Sequence, residues 1–215
     1  RYYPGLMVGA PKYFNGTELI KELVDQYGKE LNVLVTCPMT DAASDELRKG
    51  KRIYIQGSAI TRDRTLVPDF GSYNLRADTK ASEKIFSLQG DVPFTLVGKH
   101  AAYGVPLFNP DFYEWIHNPV GYYLNIESTK IVDFMMECPD IYFSIYGDMG
   151  DQIASFPYDA IAAVSLRRPD LFEPLNIEGH ELIGMAKEDG TVKDFGVLKS
   201  HLICVLTKAM ETAQY

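Results

Sequence analysis

Asn32-Val33-Leu34-Val35-Thr36 is a short run of apolar and β-branched residues, followed directly by Cys37-Pro38. Proline has no backbone N–H and a fixed φ, so a strand stops there. The run has no polar alternation and is too short for a buried helix, which predicts a strand covered on both faces. Just before it, Asn15-Gly16-Thr17-Glu18 has the form of a capping box, in which the Asn side chain accepts from unpaired N–H groups and the Glu reaches back. Leu19, Ile20, Leu23, Val24 and Tyr27 then recur at helical spacing up to Gly28. Beyond the strand the pattern repeats. Ile53-Tyr54-Ile55-Gln56 ends at Gly57, Asp78 is placed to cap a helix carrying Ala81, Ile85, Phe86 and Leu88, and Phe94-Thr95-Leu96-Val97 ends at Gly98.

Helices alternating with apolar strands predict an α/β fold, a mostly parallel Rossmann-like sheet with helices on both faces. In such sheets ligands bind beyond the carboxyl ends of the strands, so residues 36–41, 56–60 and 98–103 are expected to share a rim. The stretch from 104 to 157 is less regular and rich in aromatic residues, with helices expected near 111–117 and 128–137 and a strand at 141–145. Residues 159–166 read as a helix closed by Arg167-Arg168-Pro169. A C-terminal β-hairpin is expected where residues 181–187 and 191–195 flank Glu188-Asp189-Gly190, because an Asp-Gly step favours a tight turn. Residues 202–206 read as a last strand. With no linker, repeat or low-complexity tract, residues 1–215 read as a single domain.

The balance of 21 basic against 29 acidic residues gives a net charge of −8. Phosphate backbones and anionic lipid surfaces repel such a chain, which argues against nucleic-acid and membrane partners. No run approaches the roughly 20 apolar residues of a membrane span. Cys37, Cys138 and Cys204 are widely separated, form no C-x-x-C pair, and read as ordinary buried thiols. Compartment stays open on composition alone.

The segment Leu66-Val67-Pro68-Asp69-Phe70-Gly71-Ser72-Tyr73-Asn74-Leu75-Arg76-Ala77-Asp78-Thr79-Lys80-Ala81-Ser82 resembles the sugar-binding loop and following helix start of the inosine-uridine nucleoside hydrolases. Other segments agree in order. Leu34-Val35-Thr36-Cys37-Pro38-Met39-Thr40-Asp41 is similar to that family's strand ending in Gly-Pro-Leu-Thr-Asn, and Arg52 to Ala59 to its strand ending in Met-Gly-Gly. Phe156-Pro157-Tyr158-Asp159-Ala160-Ile161-Ala162 resembles a Leu-His-Asp-Pro-Leu-Ala segment. The resemblance implies a nucleoside-hydrolase-like domain, a ribonucleoside or ribose ligand, self-association, and cleavage of an N-glycosidic bond by a calcium-held water. Such a cation takes several oxygen ligands and lowers the pKa of its water.

Carried over residue by residue, Thr40 corresponds to a metal ligand through its backbone carbonyl, Asp159 to a metal-binding carboxylate, and Asn74 to a sugar-binding Asn. Ser72 stands where the family has Glu, Leu66 where it has another Asn, and Tyr158 where it has a His credited with assisting the leaving group. The family opens with an Asp-rich strand, whereas this sequence has no acidic residue before Glu18. Two oxygen positions fall short of the about six to eight that calcium takes. The expectation is therefore a domain without that strand, a pseudoenzyme with a binding or interaction role and no cofactor in this chain alone. The alternative is a calcium-dependent ribonucleoside N-glycosidase whose Asp-rich part comes from another segment or chain; the partners expected are a complementing N-terminal fragment or a second copy in a homo-oligomer. Plainer readings stand beside these. Asp159 reads equally as a helix N-cap, Thr40 and Asp78 as caps, and Lys99-His100 as a solvated loop pair. His117, His180 and His201 have no partners at ligand spacing and are given no role.

Overall fold

A computed structural model describes residues 16–105, 107–108, 153–155, 157–185, 192–198 and 200–202. The helix α1 (Gly16–Tyr27) runs as the apolar spacing requires and stops at Gly28, whose φ of +47° suits the residue without a Cβ. Asn15 of the expected capping box lies outside the described residues.

The strands β1 (Asn32–Val35), β2 (Arg52–Gln56) and β5 (Phe94–Val97) form where the sequence places them and pair in parallel. Between β2 and β5 come β3 (Ala59–Arg62) and β4 (Thr65–Pro68), then α2 (Tyr73–Ala77) and α3 (Thr79–Phe86). The main sheet is completed by β8 (Leu175–Ile177) and β9 (His180–Ile183), in the order β1-β2-β5-β9-β8. It is a mixed sheet of mostly parallel strands with helices, as the alternation predicts. β5 lies at its centre and is buried at every residue. β1 is an edge among the described residues, and of its four only Val35 is fully buried. A strand covered on both faces was expected there; Asn32, Val33 and Leu34 are instead only part-buried.

The sequence does not announce the β3–β4 hairpin. Its turn, Asp63-Arg64, has φ of +48° and +65°, the mirror-image turn that matches strand twist, formed here without glycine. The hairpin explains the residue at position 66. Leu66 is 1% exposed in β4, its N–H donates to Gln89 Oε1 at 2.8 Å and its carbonyl accepts from Gln89 Nε2 at 3.1 Å. It is a core position, not a sugar-facing one.

The turn of the expected C-terminal hairpin, residues 188–190, lies outside the described residues; another hairpin precedes it. β8 and β9 pair antiparallel about Glu178-Gly179, both with positive φ. Glu181, expected to open the arm before Asp189-Gly190, instead pairs with Asn176, and Val192 bridges to Phe172. Residues 195–198 and 200–202 are helical, which replaces the expected strand at 202; residues 203–206 lie outside the described residues. The expected elements at 111–117, 128–137 and 141–145 lie outside them too.

The chain divides into two units, residues 1–97 with 175–182, and residues 98–174 with 183–215. In the first, a polar cluster ties the amino ends of three strands. Arg52 Nη1 donates to Phe94 O at 3.1 Å and Thr95 Oγ1 at 3.0 Å and pairs with Glu181 at 3.0 Å, while the Thr95 hydroxyl donates to Glu181 at 2.6 Å. Beside it His180, 4% exposed, accepts the Phe94 N–H at Nδ1 at 3.0 Å. Phe94 itself stacks edge-on against Phe86 at 5.8 Å.

The second unit holds α4 (Lys99–Tyr103), the short antiparallel pair β6 (Leu107–Phe108) and β7 (Ile153–Ser155), and α5 (Tyr158–Arg167). Its core includes Ala101, Ile161, Ala162, Leu171, Phe172 and Leu198. Lys99 and His100 open a helix, whereas a loop was expected there. Cys37, expected to be buried, is exposed beyond the end of β1.

Candidate functional site

Parallel pairing sets the carboxyl ends of β1 and β2 side by side, and in the first unit the residues that follow them meet α2 and α3. Gly57, directly after β2, allows this approach, because a Cβ there would stand 3.1 Å from the Leu75 side chain of α2. Asp69 builds the turn into α2. Its N–H donates to Ser58 O, and its carboxylate accepts the Gly71 N–H at 2.9 Å. Ser72 follows, and its hydroxyl oxygen accepts the Ser58 N–H at 2.9 Å. A short polar residue in place of the family's Glu thus serves to fasten the turn to the end of β2.

Asn74 is a buried polar residue of α2, 8% exposed. Its Nδ2 donates to Gln56 Oε1 at 2.7 Å and approaches Gln56 O at 3.3 Å. Gln56, the last residue of β2, was expected at the rim without a role of its own; its signal is a polar side chain ending an apolar strand.

Asp78 caps α3 through the Ala81 N–H at 3.0 Å, and the Thr40 hydroxyl donates to its other oxygen at 2.9 Å. The Ala81 N–H, and after it the Thr40 hydroxyl, hold the Asp78 carboxyl below the usual carboxylate range. A depressed pKa contributes stability above the unfolded value, about 3.9, which is lost as pH falls through the folded one. Asp78→Ala is expected to lower the urea midpoint at pH 7 and Asp78→Asn to recover most of it, since the amide oxygen still caps. Equal midpoints for Asp78→Ala and the parent would contradict this.

In the second unit Tyr158 and Asp159 open α5, with Pro157 at the N-cap. Asp159 is therefore not the N-cap itself but the second residue of the first turn, where a carboxylate is favoured by the helix dipole. Neighbouring protein strips water from it and pushes its carboxyl above the ordinary range. Tyr158 meets Tyr103 edge-on at 6.2 Å, and Tyr103 meets His100 edge-on at 5.5 Å.

Thr40 and Asp78 are thus brought together, as are Ser72 and Asn74 at the end of β2, while Tyr158 and Asp159 belong to the other unit. Among the described residues no three His, Cys, Asp or Glu side chains converge, and both Asp78 oxygens are engaged with protein donors.

No family model matches this sequence and no curated protein does. Solved structures do. The type III effector protein XopQ, solved with adenosine diphosphate ribose, is similar at a TM-score of 0.66 and 19% identity, over 90% of this chain and 63% of its own. A plant nucleoside hydrolase is similar at 0.63 and 18%, over 95% of this chain and 70% of its own. The purine-preferring ribonucleoside hydrolase of Gardnerella vaginalis is similar at 0.62 and 20%, over 94% and 69%. This chain therefore spans less than two thirds of the effector. The fold is nucleoside-hydrolase-like.

Proposed function

We propose that this chain is a ribose-ligand-binding domain on the nucleoside-hydrolase-like fold, a pseudoenzyme that holds no calcium hydrolase centre of its own. The observation that carries the reading is the buried Asn74 amide, fixed by Gln56 at the carboxyl end of β2, where open α/β sheets take their ligands. The loss of chemistry is argued from the donors. Ser72 replaces a carboxylate, and Asp78 is consumed by Thr40 and Ala81. A ribose-containing ligand also agrees with the adenosine diphosphate ribose bound to the similar effector.

Isothermal titration with ribose, inosine and adenosine diphosphate ribose is expected to show binding, with no ribose released from inosine whether calcium or a chelator is present. Calcium-dependent ribose release by the purified chain would overturn the pseudoenzyme reading. Absence of binding by all three ligands would overturn the ribose reading.

The second reading is a calcium-dependent ribonucleoside N-glycosidase whose Asp-rich part is supplied by another segment or chain. It is favoured by Thr40 and Asp159 at positions resembling metal ligands, and by the extent of the likeness, 69% of the Gardnerella enzyme's length. Calcium-dependent ribose release that appears only when an Asp-rich fragment is added would establish it.

A further inference from the structure

The hairpin of β8 and β9 joins the main sheet of the first unit through β9, which lies against β5. It buries little of itself. From Leu175 to Leu182 only His180 and Leu182 are buried, at 4% and 3% exposure, whereas Leu175 keeps 48% of its surface in solvent. Segments with few buried apolar contacts open ahead of the rest of a domain, so the side-chain bonds that hold this one carry unusual weight. His180 Nδ1 accepts the Phe94 N–H at 3.0 Å, with the two rings 5.2 Å apart. Glu181 accepts from the Thr95 hydroxyl at 2.6 Å and pairs with Arg52 at 3.0 Å. At the turn Glu178 pairs with Arg64 at 3.5 Å, but both side chains are more than half exposed and such a pair contributes little. Of these ties, the one at His180 is buried and depends on an unprotonated ring nitrogen.

We infer that the β8–β9 hairpin is an acid-released flap: one proton on the His180 ring turns its acceptor into a donor facing the Phe94 N–H, and residues 175–182 detach from β5 while β1, β2 and β5 stay paired. The proton comes from solvent and no other bond need change. The charges around the ring set the direction. Arg52 of β2 opposes an imidazolium; the Glu181 carboxylate of β9 would favour one but is already bonded to Arg52 and Thr95. Tyr54 of β2 is neutral in this range, Phe94 and Thr95 of β5 do not titrate, and Arg64 of the β3–β4 hairpin meets Glu178. Burial, and after it Arg52, lowers the His180 pKa, so the flap is held above the unfolded value of about 6.5 and released as pH falls through the folded one. Release uncovers the amino half of β5, a strand buried at every residue when the flap is closed. A fall in pH is thereby converted into an exposed strand edge.

The test is amide hydrogen exchange on the full chain at pH 7.5, 6 and 5, corrected for the intrinsic pH dependence of exchange. The amides of Phe94 and of residues 180–182 are expected to lose protection roughly tenfold or more across this range, the change that follows when a buried donor is left unmet, while those of residues 53–56 keep theirs. In His180→Asn, whose side-chain oxygen accepts without titrating, protection of the hairpin should not change with pH. The parent alone gives a second readout, because the midpoint of opening must coincide with titration of the His180 ring followed by NMR. Three results would each overturn the flap: loss of protection throughout the sheet at the same pH, equal opening in a folded His180→Asn, or a midpoint displaced from the titration of the ring.

Discussion

Gly184→Ala is expected to destabilise the protein by about 3 kcal/mol, from about 1–2 kcal/mol for a side chain in the left-handed region and about 1–3 kcal/mol for overpacking. Gly184 has φ of +62° and lies against α4 in the second unit. A methyl group there would run into the Ala101 backbone nitrogen and stand 2.7 Å from its Cβ and 2.9 Å from its Cα. Neither neighbour gives way cheaply, since one is backbone and the other sits in the core at 2% exposure. The close approach is used. The Gly98 N–H donates to Ile183 O at 2.8 Å and the His100 N–H to Gly184 O at 3.2 Å, so the first turn of α4 is fastened to the chain leaving β9. Gly98→Ala should cost less than Gly184→Ala, because Gly98 suffers the collision with Gly184 at an ordinary φ of −83°. Gly90→Ala is the control, with nothing near the added methyl. Urea denaturation separates the three. A Gly184→Ala midpoint equal to that of Gly90→Ala would contradict the close-approach argument.

The second large effect is a loss of stability in mild acid that originates at His180. Burial, and after it the Arg52 guanidinium, lowers the pKa of His180. Its Nδ1 must stay unprotonated to accept the Phe94 N–H. A depressed histidine pKa contributes stability that is complete above the unfolded value, about 6.5, and is lost as pH falls through the folded one. Protonation would leave two donors face to face at a buried site, and an unmet buried donor costs about 1–3 kcal/mol. The groups facing this site from β2, β5 and β9 are Arg52, Tyr54 and Glu181, and none supplies an acceptor to Phe94 N–H. Urea stability measured at pH 7.5 and pH 5 should therefore fall in the parent and fall less in His180→Asn, whose side-chain oxygen can replace the ring acceptor without titrating. The carboxylates with lowered values, Asp45, Glu46, Asp78 and Asp170, lose their contributions only as pH falls below the ordinary carboxylate range. Equal slopes for parent and His180→Asn would remove His180 from the account.

His180 shows where residue-by-residue reading stops. Without a spaced partner in the sequence it receives no role, yet its acceptor meets the N–H of a residue 86 positions away. Glu181 likewise looks like the start of a surface arm until β9 sets it beside Arg52 and Thr95.

What the sequence settles alone is whatever depends on neighbours along the chain. Strands 32–35, 52–56 and 94–97, the Asp78 cap, and the helices ended by Gly28 and by Arg168-Pro169 follow from short-range periodicity, from residues lacking an N–H or a Cβ, and from a carboxylate three residues before the amide it accepts. Position 66, the Asp63-Arg64 turn, the hairpin about Glu178-Gly179, and the Gln56–Asn74 pair are decided by tertiary structure. Each depends on which distant backbone comes alongside. A tight turn forms where two strands gain a partner, and an amide turns toward whichever carbonyl the fold sets next to it; both energies arise between segments that are remote along the chain.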